Sequence, residues 1–405
     1  MGTPDLTKGA TAPVPAAGGS KKFALRGSGG GLSKNANRGA VVLALLFAVL
    51  LPFLFDPTSG FINDCVLALA YVVMALGLNV VVGFAGLLDL GYVAFYAVGA
   101  YSVGWFASTF YSDASVHVGV NDFLDKLPGV HLNFFLVILL AMILCAIAGV
   151  FIGLPTLRLR GDYIAIVTLA FGEIIYRFAV NGDEITPFGD AYPLTNGQQG
   201  IGPLDKPQLP FMSEPLTPLE LRPWYWVALG MVAIAVLAVV MVRDSRLGRA
   251  WIALREDEVA AASMGVPLVK TKLLAYAMGA ALGGMAGAFL GFFATTVNAN
   301  SFKFSFSIFV LSMVILGGLG SIWGVVLGAV ALSFINYWLI PDVLNTVPGK
   351  IGLDFQLDQL SFGIFGFLLV IGMVLKPEGL LPERRRKIEL TEGVGTDQSL
   401  EGSRA

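Results

Sequence analysis

Charge is what this chain has least of. Of its 405 residues only 13% are Asp, Glu, Lys or Arg, about half of the roughly 25% found in an ordinary soluble domain. That supply cannot keep a folded surface of this size in water, which sets aside a water-soluble enzyme. Histidine is scarcer still. His117 and His131 are the only two and lie in one connecting segment, so a His-based triad or zinc site has almost nothing to be built from. The two cysteines, Cys65 and Cys145, fall in apolar runs at different apparent depths, and no disulfide framework is expected. A phosphate-binding Gly-x4-Gly-Lys-Ser/Thr loop is missing too: Gly349-Lys350 is followed by Ile351 and lacks the upstream glycine. With 26 Lys and Arg against 28 Asp and Glu, there is no basic excess to suggest a nucleic-acid partner.

What is present is apolar length. Hydrophobic residues make up 56% of the chain, and 49 glycines accompany them, as glycine does more often in membrane helices than in soluble ones. A spanning helix needs about 20 mostly apolar residues. Somewhat fewer suffice where loops or cavities shorten the path, and ten runs are candidates, at 39–55, 61–82, 87–108, 133–154, 163–180, 224–242, 273–294, 305–316, 322–340 and 359–375. The eighth is short and joined to the ninth by Gly317-Gly318-Leu319-Gly320, which leaves a re-entrant or broken helix open. The expected fold is an all-α polytopic membrane protein of about ten transmembrane helices. Three regions follow: a disordered tail over 1–38, a membrane domain over 39–382, and a polar C-terminal tail over 383–405.

Lys and Arg orient the bundle. With ten crossings and an inside N-terminus, twenty of them fall in inside segments and five in outside ones, while the acids divide almost evenly. Orientation follows the basic residues rather than net charge, so the expectation is N-in and C-in. Two connections are long: 181–223, outside, with eight prolines, and 243–272, inside and basic.

The inside connection carries the most informative stretch. Asp257 can cap a short helix whose first turn holds Glu258, favoured by the helix dipole. Ala260, Ala261 and Ala262 follow as strong helix formers, and Gly265 with Pro267 ends the helix. Small residues on an exposed helix suit a partner's groove, and an ordinary connecting helix on the membrane surface fits equally well.

This stretch resembles the cytoplasmic coupling loop of ABC-importer permeases, with its Glu-Ala-Ala, three residues, then Gly. Ala260, Ala261 and Gly265 fit that spacing, while Val259 stands at the Glu position and the acid is displaced to Glu258. The run Arg255-Glu256-Asp257-Glu258 before the alanines is similar to LivM-type branched-chain amino-acid permeases. The stretch 77–91, with Asn79, Gly83, Gly86 and Asp89, and the stretch 161–175, with Thr168, Gly172 and Glu173, resemble two further motifs of that group. Together they cover roughly 40–385.

The resemblance implies the membrane half of an ATP-driven importer in the bacterial inner membrane. Its partners would be a second permease of LivH type, two cytoplasmic ATPase subunits and a periplasmic amino-acid-binding protein. The chain would hold no cofactor of its own, ATP being bound by the ATPases, and would perform no covalent chemistry. Residues Arg255, Glu256, Glu258, Ala260, Ala261 and Gly265 would meet the ATPases. A urea or short-amide importer shares the architecture. A stand-alone secondary transporter would call for more mid-span acids, and a membrane enzyme for paired carboxylates.

Pathway or gating candidates are Asn79, Asp89, Glu173 and Arg177. Asp89 reads either as an N-terminal acid of the third span or as the holder of the Gly83–Gly91 corner. Glu173 and Arg177 stand four apart in the order that favours an ion pair, and Arg177, expected near the outer surface, can snorkel. Mid-span, that acid must face the bundle or a wet cavity, and a structural or gating role fits better than substrate contact. Gly279, Gly283, Gly287 and Gly291, and likewise Gly320, Gly324 and Gly328, line helix faces without side chains and allow close packing, within the chain or against a second permease.

Overall fold

The computed structural model describes residues 46–120, 124–156, 159, 162–187, 189, 192–209, 215–344, 361–375 and 379–381. Both expected tails, and the start of the expected first span, lie outside the described residues. Residues 46–50 are helical and expose Leu46, Phe47, Val49 and Leu50, forming part of a unit separate from the rest of the chain.

The main unit is mostly helical. Helix α1 (Gly60–Leu78) runs on into a π-helical turn, Asn79–Phe84. After it come α2 (Val93–Phe106), α3 (Phe134–Thr156), α4 (Asp162–Asn181) and α5 (Leu221–Asp244). Two short helices, α6 (Arg246–Glu256) and α7 (Glu258–Ser263), lead into α8 (Leu268–Ala294). The chain continues through α9 (Phe304–Gly317), α10 (Ile322–Phe334) with a π-helical extension Ile335–Leu344, and α11 (Ser361–Leu375).

Among the described residues, six helices are long and apolar enough to cross a membrane; α2 and α9 are apolar but shorter. The third run therefore differs from its expected 87–108. Gly86 takes a positive φ of 70°, and residues 85–92 leave the helix, so α2 begins only at Val93. The expected all-α fold is also not pure. Strands β1 (Ala107–Ser108), β2 (Ser115–Val118) and β3 (Gly129–Leu132) form a small sheet of order β1-β3-β2. In it β3 pairs antiparallel with β1 and parallel with β2.

Helices α1 and α8 form the core. In their most apolar stretches 78% and 72% of residues are buried, against 33% and 28% in α3 and α4. Small residues explain how α8 reaches that depth. Lipid tails are as apolar as leucine, so membrane helices associate mainly through close packing and hydrogen bonds. A methyl group on Gly279 would lie 2.8 Å from the Gly77 carbonyl oxygen, and one on Gly99 would lie 2.7 Å from the α-carbon of Gly284. Real side chains essentially never approach that closely. Gly283 meets Tyr92 and Phe95, and Gly287 meets the Tyr96 carbonyl and Ala100. On α10, Gly324 abuts the Gly317 carbonyl, and Gly328 abuts Met313 and Gly317. The glycines of α8 and the pair Gly324 and Gly328 thus face neighbours within this chain, whereas Gly320, at φ 84°, lies in the turn before α10 and not on the helix face expected for it.

Candidate functional site

The 243–272 connection folds as a pair of capped helices. Ser245 accepts from the Leu247 and Gly248 amides at the start of α6, whose Gly248, Trp251 and Leu254 are buried. The Trp251 indole donates to the Thr271 carbonyl at 2.8 Å and fastens α6 to α8. Asp257 then caps α7, accepting from Val259 and Ala260 at 2.7 and 3.0 Å. Gly265, at φ 84°, closes it: its amide donates to Ala262, and the Val266 amide donates to Ala261, a C-terminal cap of the left-handed kind.

The six coupling candidates divide between two faces. Arg255 points into the bundle, where Nη1 donates to the Gly83 carbonyl at 2.7 Å. Glu258 pairs through Oε1 with Lys272 Nζ at 2.6 Å, the lysine side chain being only 5% exposed. Ala261, 4% exposed, packs inside the chain, which corrects the expectation that it fits a partner's groove: helical periodicity turns one alanine of the run inward. Glu256, Ala260 and Gly265 remain on the surface, and nothing lies within 4 Å of where a Gly265 side chain would start. Val259 and Met264, 68% and 85% exposed, complete that face. Neither is among the candidates drawn from the sequence, although two large apolar residues beside a capped alanine run are themselves a signal.

Arg255 is also a bridge to Asn79. Gly83, whose carbonyl it grips, lies in the π-helical turn that Asn79 opens. Asn79 is wholly buried and accepts through Oδ1 from the Gly320 amide at 2.9 Å. One continuous set of contacts therefore runs from α6 through the end of α1 to the Gly317–Gly320 connection. A cation placed against carbonyls at a helix C-terminus is favoured by the helix dipole, and a π-helical turn commonly marks a functional position.

Asp89 is buried, at 2% exposure. It does not begin a helix. Its Oδ1 accepts from the Gly91 amide at 2.8 Å, while the Leu90 amide donates to Thr168 Oγ1 at 3.0 Å, tying the corner to α4. The first amide of α2, that of Val93, instead donates to Ser307 Oγ from α9. Glu173 and Arg177 pair at 3.1 Å between Oε1 and Nε, with side chains 44% and 67% exposed. They therefore face away from the chain's own bundle.

The two histidines have a use that their scarcity did not indicate. They stack with ring centroids 5.3 Å apart, and His131 Nδ1 lies 2.7 Å from Asp205 Oδ2. Burial pushes the Asp205 carboxyl above the ordinary carboxylate range, against the opposing pull of His131. This cluster holds the sheet against the 181–223 connection.

The sequence profile of the family described as the branched-chain amino acid transport system permease component matches residues 61–373. The chain belongs to this family. It is a transport permease component and not an enzyme. Among curated relatives it is 35% identical over 373 residues to the high-affinity branched-chain amino acid transport system permease protein LivM of Escherichia coli K12, an alignment covering 87% of this chain and 77% of that protein. The probable LivM permease of Methanocaldococcus jannaschii is 27% identical over 338 residues, 78% and 91% of the two chains. The LivH permease of Escherichia coli K12 is 28% identical over 188 residues, 46% and 54% of the two chains. No solved structure matches. The family match spans almost the whole stretch from α1 to α11, so it takes in the Asn79–Arg255 contacts, Asp89 and the Glu173–Arg177 pair.

Proposed function

We propose that this chain is an inner-membrane permease subunit of an ATP-driven importer that moves leucine, isoleucine and valine inward. The observation that carries this is the family match from 61 to 373 together with the surface made by Val259, Ala260, Met264 and Gly265 on an otherwise anchored inner loop. A second, LivH-type permease would complete the pathway. Two cytoplasmic ATPases would seat on that loop, and a periplasmic binding protein would deliver the amino acid. Closure of the ATPases would push α7 and α6. Arg255 would carry that movement to Gly83, and Asn79 would carry it to the Gly317–Gly320 connection, opening the bundle by alternating access. Asp89 would hold the corner between α1 and α4 while this happens.

Purified and reconstituted with those partners, the assembly is expected to accumulate radiolabelled leucine only with ATP and the loaded binding protein. Uptake by this chain alone, driven by a proton or sodium gradient, would overturn the reading.

Ten crossings with both termini inside is the topology that the twenty-to-five distribution of Lys and Arg supports. With Cys65 and Cys145 replaced, a cysteine at Met264 is expected to react with an impermeant thiol reagent from the cytoplasmic side and one at Gln198 from the opposite side; both positions are exposed. Reaction of both from one side would exclude this topology.

A further inference from the structure

Helix α4 carries an ion pair of residues four apart, the one such pair among the described spans, and it is turned outward. Glu173 stands ten residues, about 15 Å at helical rise, from Tyr163 and eight residues from Asn181, the two ends of the span. An ionisable group at the depth of Glu173 faces a protein interior or a water-filled cavity rather than acyl chains, whereas Arg177, four residues from Asn181, lies near the end of the span and holds the acid from there. The described residues of this chain do not enclose them, since their side chains are 44% and 67% exposed. The buried face of α4 is instead formed by Ile164, Ala165, Thr168, Gly172 and Ala179. The exposed face sets Ile166, Ala170, Ile174 and Phe178 beside the charges.

The pair is also unfinished. Arg177 uses Nε alone on Glu173 Oε1, which leaves both terminal guanidinium nitrogens and Glu173 Oε2 without hydrogen-bond partners among the described residues. An arginine fork of this kind matches a carboxylate, and a carboxylate oxygen matches an ammonium. A zwitterionic α-amino acid with an aliphatic side chain offers both at adjacent atoms together with an apolar body.

We propose that Glu173 and Arg177 form a head-group site for such an amino acid within the translocation pathway, Arg177 taking the carboxylate and Glu173 the ammonium, with the aliphatic side chain lying along Ile166, Ala170 and Ile174 on the same face. This rests on the importer reading above and assigns the pair a substrate contact rather than a gating role. Charge is balanced throughout, because a net-neutral zwitterion meets a net-neutral pair. Occupation loosens the ion pair, and release restores it, so the site need not hold its cargo tightly.

The test uses proteoliposomes holding the whole assembly, with ATP supplied on the ATPase side and binding protein loaded with radiolabelled leucine. Leucine imported and ATP hydrolysed are measured together for wild type, Glu173→Gln, Arg177→Gln and Arg177→Lys. Removal of either charge is expected to leave stimulated ATP hydrolysis within about twofold of wild type while leucine imported per ATP falls about tenfold or more, the scale of one lost hydrogen bond to a charged group. Arg177→Lys keeps the charge and is expected to recover part of that ratio. An unchanged ratio in both Gln variants overturns the site. So does an equal fall in hydrolysis and import, which would make the pair a coupling element, and so does loss of the second permease on purification, which would make it a subunit contact. Wild-type vesicles that import no leucine overturn the importer reading and this site with it, whereas a working wild type beside unaffected variants overturns the site alone.

Discussion

Arginine in place of Ala260 is expected to abolish ATP-driven uptake while the membrane bundle stays folded. Ala260 lies on the exposed face of α7 beside Val259 and Met264. Its amide is already held by the Asp257 cap, and the helix needs nothing from its methyl group. The difference in intrinsic helix propensity between Ala and Arg is only tenths of a kcal/mol, so the substitution acts almost wholly on whatever covers that face. If an ATPase groove covers it, a long cationic side chain should cost about 2 kcal/mol or more, the scale of a hot-spot position, or about thirtyfold in affinity. Membrane yield should match wild type, whereas ATPase co-purification and leucine uptake should be lost. Ala261→Arg makes the instructive neighbour. That side chain is 4% exposed, so the arginine would force α7 away from the part of the chain that covers it, and this variant should lose folded protein as well as uptake. Wild-type uptake in a stably inserted Ala260→Arg protein would remove α7 from the mechanism.

A second pair of substitutions makes the same chemical change with opposite signs. Gly284→Ala is expected to destabilise the protein by about 3 kcal/mol, at the top of the usual range for overpacking, and Gly230→Ala to stabilise it by up to about 1 kcal/mol. Both glycines are in helices. A methyl group on Gly284 would lie 2.7 Å from Cys145 Cβ and 2.9 Å from the Ala141 carbonyl oxygen, whereas nothing lies within 4 Å of the same group on Gly230. The close neighbours of Gly284 include backbone on α3, and its own backbone touches Gly99 on α2, so α8 cannot move aside in either direction. Thermal midpoints of the detergent-solubilised variants decide the matter. A drop of about 5 °C or more is expected for Gly284→Ala, and equal midpoints for both variants would refute the packing argument.

Much of this was legible in the sequence because a membrane makes one signal dominant. The runs at 61–82, 133–154 and 163–180 became α1, α3 and α4 nearly to the residue, since unbroken apolar length has few other uses. Asp257 and Gly265 were legible as the two ends of a helix because capping depends on local chemistry. Direction was not legible. Which of Ala260 and Ala261 turns inward depends on the register in which α7 meets α8, a fact held by neither residue alone. The same holds for Arg255, whose partner Gly83 lies 172 residues away in the chain. The late start of α2 turns on the glycine at 86 and on Asp89 folding back to Gly91. Scarce histidine gave little to build a zinc centre from, yet could not show that the two rings stack.

The contacts of α8 have a mechanical consequence. Repulsion between touching atoms rises far more steeply than the attraction that holds them together, and a face without side chains has no rotamers with which to absorb a displacement. Where Gly279 meets Gly77 and Gly284 meets Gly99, the only available response to a push is for both helices to travel together. Helix α3 is little more buried than α4 and α5, but it is locked to α8 in the same way, where Gly149 meets Ala280 and the Tyr276 carbonyl and Gly284 meets Cys145 and Ala141. The quartet of α1, α2, α3 and α8 is therefore the stiff strut of the molecule, and a load applied at Gly83 arrives at the far end of α1 almost undamped.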